Sequence, residues 1–188
     1  MLKKLFCLAL LCVGMNAQAT VINIALDKAS YQTNDVITAR FIADDYKDGL
    51  AGFLLNLSFL SNKLGFVDVT FGSQFSPSNT PNFTTVDYNN GTLYIEELNP
   101  FDGYADLAAL QQGTITLATV RFNALVAGLH DLNLDNAELW DAVSISNISG
   151  LSFNSTKILV NGITPAVPAP ATALLLLPVV WLMRRRRA

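Results

Sequence analysis

Cysteine is almost missing from this 188-residue chain, and its two occurrences, Cys7 and Cys12, both lie in the first twenty residues. Beyond them there is no thiol, which excludes disulfide staples, a thiol nucleophile and a cysteine-based metal centre. Histidine is as scarce. His130 stands alone, so a histidine-rich zinc site is excluded, and a Ser-His-Asp triad would have to run through that one ring without a Gly-x-Ser-x-Gly elbow to present the serine. Charge is thin, at 14% of residues against 51% hydrophobic. Cations are rarest in the middle: six of the 12 basic residues sit at the two ends, leaving six against 15 acidic ones, a body charge of −9. A body so short of cations lacks the footprint that phosphate backbones require, which excludes nucleic acid as a partner.

What is there has three textures. Residues 1–19 have the order of a secretory signal peptide: Lys3 and Lys4, then an apolar run over 5–14 that is too short to span a bilayer, then Ala17-Gln18-Ala19, a small-x-small pattern that predicts cleavage before Thr20. Residues 20–163 alternate apolar and polar positions in short runs, the mark of half-buried strands. Strands are predicted over 21–26, 36–43, 52–59, 64–71, 83–88, 92–98, 113–124, 129–134, 137–140 and 157–161. Asn90-Gly91 between two such runs is a strong hairpin signal. Within 113–124 the apolar parity flips between Leu117 and Val120, which predicts a bulge. One or two helical turns are expected within 105–112. The fold class is therefore all-β, an antiparallel β-sandwich or jelly roll, with a core large enough to stand without covalent staples.

The third texture is the tail, 164–188. Val167-Pro168-Ala169-Pro170-Ala171 leads into an apolar stretch that closes on Arg184, Arg185, Arg186 and Arg187. The stretch over 171–183 is shorter than the roughly 20 residues of a comfortable span, and the arginines orient it with the positive side inside. The tail resembles the sorting signal of PEP-CTERM exported proteins. That resemblance implies a single membrane helix used before processing, recognition of the proline motif by an exosortase-type enzyme, a final location at the cell surface or outside the cell, and an envelope rich in exopolysaccharide. The common form of the motif has Glu between the prolines, and here Ala169 stands in its place.

The body has a resemblance of its own. The turn and strand Tyr31-Gln32-Thr33-Asn34-Asp35-Val36-Ile37-Thr38, the run Gly49-Leu50-Ala51-Gly52-Phe53-Leu54-Leu55-Asn56-Leu57-Ser58-Phe59 followed by Leu64-Gly65-Phe66-Val67-Asp68-Val69, and the late strand from Gly113 to Ala124 together resemble the cohesin-type sandwich, related in fold to some carbohydrate-binding modules. The resemblance implies a binding or scaffolding module rather than an enzyme, and identifies no contact residues.

The candidate sites are few. Asp44, Asp45 and Asp48 in the turn DDYKDG invite a calcium reading, but Tyr46 and Leu55 occupy positions where an EF-hand needs ligands, so the alternatives are a looser calcium site or a solvated acidic turn. Glu96 and Glu97 are adjacent on a strand and point to opposite faces, so they cannot serve as a carboxylate pair; both are expected at the surface. Tyr94 and Tyr104 are the candidate sugar-stacking residues, and Trp140 is expected in the core. No cofactor is implied. The expected function is that of a non-enzymatic exported surface or matrix protein with a binding sandwich, the alternative being a carbohydrate-binding module for exopolysaccharide.

Overall fold

A computed structural model describes residues 20–44, 49–78 and 81–162. The elements run β1 (Val21–Leu26), β2 (Tyr31–Gln32), β3 (Val36–Asp44), β4 (Leu50–Phe59), β5 (Leu64–Phe71), a 3-10 turn (Ser73–Phe75), β6 (Phe83–Asn89), β7 (Thr92–Leu98), α1 (Tyr104–Leu110), β8 (Ile115–Ala124), β9 (Gly128–Asp141), β10 (Ser152–Phe153) and β11 (Thr156–Asn161). Two sheets form. Sheet A has the order β10-β1-β3-β8-β5 and sheet B the order β2-β11-β9-β4-β7-β6. The central pairings are antiparallel, as the alternation predicts; β1 with β10 and β2 with β11 are parallel and only two residues long.

The alternation sets which side chains enter the sandwich. Phe53, Leu55 and Leu57 of β4 face Ile37, Ala39 and Phe41 of β3 across the interior, and all are fully buried. The predicted bulge is at Leu117. Phe41 pairs with Ala118 while its neighbour Ile42 pairs with Thr116, so Leu117 has no cross-strand partner and both Leu117 and Ala118 turn inward. A second slip corrects the sequence reading of 129–134 and 137–140 as separate strands. Asn56 pairs with Asn136 and Leu57 with Leu134, so Asp135 is squeezed out and β9 continues through. The extra residue realigns Ala137 and Leu139 with Leu132 and Leu134 on the buried face.

The β6–β7 hairpin closes on Asn90 and Gly91, with φ of 44° and 93°, the left-handed pair that a two-residue hairpin loop demands. A side chain at Gly91 would also stand 2.3 Å from the Phe59 carbonyl. One end of the sandwich is closed by α1, anchored by buried Leu107, and by the polar side chains that follow. Gln111 accepts from the Leu50 N–H at 2.5 Å and donates to the Leu50 carbonyl at 2.9 Å, supplying β4 with the backbone partner its first residue lacks. Asn99 folds its own loop by accepting from the N–H groups of Phe101 and Asp102. It also donates to the Phe75 carbonyl at 2.5 Å.

Candidate functional site

Sheet B presents an open outer face, and the registers of β6, β7, β4 and β9 arrange it in cross-strand rows. The first row is Phe83, Leu98, Gly52, Trp140; the second Thr85, Glu96, Leu54, Glu138; the third Asp87, Tyr94, Asn56, Asn136; the fourth Asn89, Thr92, Ser58, Asn133. Gly52 is where a side chain is forbidden: a Cβ there would stand 2.4 Å from the Glu97 carbonyl and 3.1 Å from the Trp140 ring. Trp140 therefore lies across β4, half-buried on the outer face, which corrects its assignment to the core. Phe83 and Phe101 are exposed and pack with ring centroids 5.4 Å apart, extending the apolar row to the sheet edge.

The second row has a distinct chemistry. Half-buried Leu54 is flanked by Glu96 on one side and Glu138 on the other. Glu96 accepts from the Tyr94 hydroxyl at 2.7 Å, and Glu138 accepts from Asn147 at 2.7 Å and Asn136 at 3.4 Å. Burial, the bond to Glu96 and the nearby Glu96 and Glu138 charges push the Tyr94 phenol up to about 12, so it stays a donor. The four strands β6, β7, β4 and β9 contain no Lys or Arg, while they carry Asp87, Glu96, Asp131, Asp135 and Glu138; of these, Asp131 is ion-paired at 2.6 Å to Lys157 of the neighbouring β11. The outer face of sheet A also carries an ion pair. There Arg121 makes a two-pronged ion pair with Asp68, one contact at 2.7 Å, among threonines.

Behind the face, Glu97 corrects its expected surface position. It points inward with Leu93 and Ile95 and is only 3% exposed. Its Oε1 accepts from Asn82 at 2.7 Å, and Asn82 also donates to the Phe75 carbonyl at 2.9 Å. Glu97 Oε2 and Asn82 Oδ1 are buried and have no hydrogen-bond partner among the described residues. Burial lifts the Glu97 carboxyl to about 7, with the Asn82 bond opposing the shift. The parity of Leu93 and Ile95 already pointed Glu97 inward; the loop that covers it had no sequence signature.

The remaining candidates scatter. Tyr104 opens α1 while Tyr94 lies in the middle of β7, so the two proposed sugar contacts sit on separate elements without a contact between them. Asp44 accepts from Asn23 at 3.0 Å and from Thr114 at 3.2 Å, and so acts as a hydrogen-bond hub at the end of β3; Asp45 and Asp48 lie outside the described residues. No group of three potential metal ligands occurs among the described residues. His130 is buried, and its Nε2 lies 2.6 Å from the Val126 carbonyl. It lines a groove of about 350 Å³ with Ser58 and Asp131, but among the described residues no hydrogen bond joins it to either. Thr20 is buried where β1 begins, and its carbonyl accepts from Ser152. Ala17 and Ala19, the motif Val167, Pro168, Ala169, Pro170 and Ala171, and Arg184, Arg185, Arg186 and Arg187 lie outside the described residues. Within the described residues no helix is long and apolar enough to cross a membrane.

No protein-family model matches the sequence, and no curated relative matches it. Solved structures do. The second type II cohesin module from the adaptor ScaA scaffoldin of Acetivibrio cellulolyticus superposes with a TM-score of 0.64 at 16% identity, covering 83% of this chain and 98% of that one. The fold is that of a cohesin module. A non-cellulosomal cohesin from the archaeon Archaeoglobus fulgidus shares it at TM-score 0.56 and 17% identity, over 76% of this chain and 91% of that one. So does the third cohesin ScaC of Acetivibrio cellulolyticus, solved in complex with the ScaB dockerin, at TM-score 0.58 and 18% identity, over 75% and 98% of the two chains. The cohesin fold fits the strand order, and its likeness at these identities concerns architecture rather than any one contact.

Proposed function

We propose that this cohesin-like sandwich is a non-enzymatic protein-binding module of an exported cell-surface or extracellular protein, and that its partner docks on the outer face of sheet B. The observation that carries the reading is the face itself. It spans four strands, has apolar anchors in Leu54, Leu98, Trp140 and Phe83, sets carboxylates on both sides of Leu54, and has no cation on those four strands, the Lys157 of the adjoining β11 being paired with Asp131. A face built this way suits a protein segment that brings Lys or Arg beside an apolar side chain, since the acidic rows would steer it and the apolar row would hold it. The dockerin complex of a similarly folded cohesin supports a protein partner. The signal-peptide order of 1–19 and the proline–apolar–arginine order of 164–188 support export, transient membrane retention and processing by an exosortase-type enzyme.

The test is a peptide-library capture on the immobilised protein, run beside a polysaccharide array. Bound peptides are expected to combine basic and apolar residues, to weaken as salt rises, and to lose ~10-fold or more in affinity with Leu54→Arg, which places a cation between Glu96 and Glu138. Capture that is indifferent to both salt and Leu54→Arg would mean that the partner does not dock on this face. A second reading rests on Phe83, Phe101 and Trp140. Three aromatic rings along one edge row suit sugar stacking, and polysaccharide retention lost in Trp140→Ala would favour that reading over a protein partner.

Processing has its own expected result. Mass spectrometry of the protein from the cell surface should find a mature start at Thr20 and no Arg184–Arg187 tail. Intact arginines on surface protein would overturn the sorting proposal.

A further inference from the structure

Four strands end the two sheets, and three of them are blunted. β10 and β2 are two residues long, and β5 is broken by a bulge at Val67, where Phe66 pairs with Phe122 and Asp68 with Arg121. β6 is different. It runs seven residues, FTTVDYN, in unbroken register with β7, and every residue in it is exposed. It has no Lys, no Pro and no bulge, the devices that keep an edge strand from pairing.

The hairpin geometry shows which backbone groups are free. The two-residue loop makes Asn89 and Thr92 a pair that exchanges both backbone hydrogen bonds, and alternation makes Asp87–Tyr94, Thr85–Glu96 and Phe83–Leu98 the next such pairs. The N–H and C=O groups of Thr84, Val86 and Tyr88 therefore point to the open edge. No described residue bonds to them.

We propose that this edge pairs with the same edge of a second copy of the chain, antiparallel, about a two-fold axis at Val86. The sequence of β6 is self-complementary in that register. Val86 meets Val86 of the second copy and Thr84 meets its Tyr88, and these are the residues whose backbone groups point outward. Three residues on each side thus exchange six hydrogen bonds. Thr85 meets the second copy's Asp87, so the one charge of the strand faces a hydroxyl and not its own image, which a one-residue shift toward the C-terminus, with Asp87 opposite itself, would violate. The apolar side chains gain cover. Val86 and Tyr88 are 44% and 38% exposed on the inner side of the strand, where Tyr88 already packs on Phe59 at 6.0 Å and Phe66 at 5.0 Å. The contact is isologous and closes as a dimer, joining two sheets B into one continuous sheet with both acidic faces on the same side.

Sedimentation velocity of the full chain in detergent, over a wide concentration range, tests this. The wild type should show a concentration-dependent monomer–dimer equilibrium. Val86→Lys and Val86→Glu each set like charges against each other at the two-fold, and each should weaken the dimer by ~10-fold or more. An equimolar mixture of the two should recover a dimer, because the axis then brings Lys against Glu. Val86 is an exposed edge residue, so circular dichroism and the urea midpoint should match the wild type. Val86→Pro, which removes an N–H that β7 does not use, should also give monomer. A wild type that stays monomeric refutes the second copy and leaves the edge to an extended segment of another protein. Dimerisation unchanged in either charge variant assigns the contact to another surface, and a mixture that stays monomeric overturns the two-fold register.

Discussion

Phe53→Ala is expected to lower the unfolding free energy by about 3–5 kcal/mol, the range for a large aromatic truncated inside a close-packed core. Phe53 is fully buried at the centre of β4. Its ring meets Phe75 of the 3-10 turn edge-on at 5.3 Å and Phe71 of sheet A at 6.3 Å. One side chain thus links a central strand of sheet B, the opposite sheet and the polar end cap. Alanine would leave a void between elements held apart by the rest of the sandwich, so little of it can close. Urea unfolding checks this, with the midpoint moving and the slope held. A loss below about 1 kcal/mol would mean that the two sheets collapse onto the site and that the core is looser than its burial indicates.

Glu97→Gln is expected to change the shape of the stability–pH curve. The folded carboxyl titrates near 7 against an ordinary 4.5, so the folded chain binds this proton more tightly than the unfolded one. The contribution is complete below pH 4.5, is lost as pH rises through 7, and is gone above it. At about 1.4 kcal/mol per unit the wild type should lose up to roughly 3 kcal/mol between pH 4.5 and 8 from this group alone. Asp27, Asp68, Asp102 and Asp141 are shifted the other way, below 3.8, by hydrogen bonds or the Arg121 charge. Their losses fall at lower pH and leave this window clear. Glutamine keeps an acceptor for Asn82 and, in place of the unpartnered Oε2, sets an uncharged donor beside Asn82 Oδ1. Urea midpoints measured at pH 5 and pH 8 should converge for Glu97→Gln relative to the wild type. Parallel curves for the two proteins would place the Glu97 charge in contact with water.

Much of the architecture was legible because strands advertise themselves by alternation. β1, β5 and β7 begin and end where the sequence places them, and the flip between Leu117 and Val120 disclosed a bulge because an inserted residue inverts the parity of everything after it. The same logic failed across 129–140. There the inserted Asp135 is polar and sits between two apolar runs, and a bulge of that kind reads like a turn. Trp140 was misassigned because hydrophobicity alone favours the interior; what holds it outside is Gly52, separated from it in sequence by the four strands β5 to β8 and adjacent only across the β4–β9 ladder.

Local alternation, turn chemistry and the shortage of cations were the sequence's own contribution, because period-two burial, the left-handed Asn-Gly pair and net charge are properties of neighbours along the chain or of simple counts. They determine an all-β, acidic body. Which acidic residues share a face, that Leu54 lies between Glu96 and Glu138, that Glu97 is sealed against Asn82, and that β6 is the one long unblunted edge among the described residues were decided by the tertiary structure. Each depends on cross-strand register and sheet order, and those are set by long-range packing that no single stretch encodes.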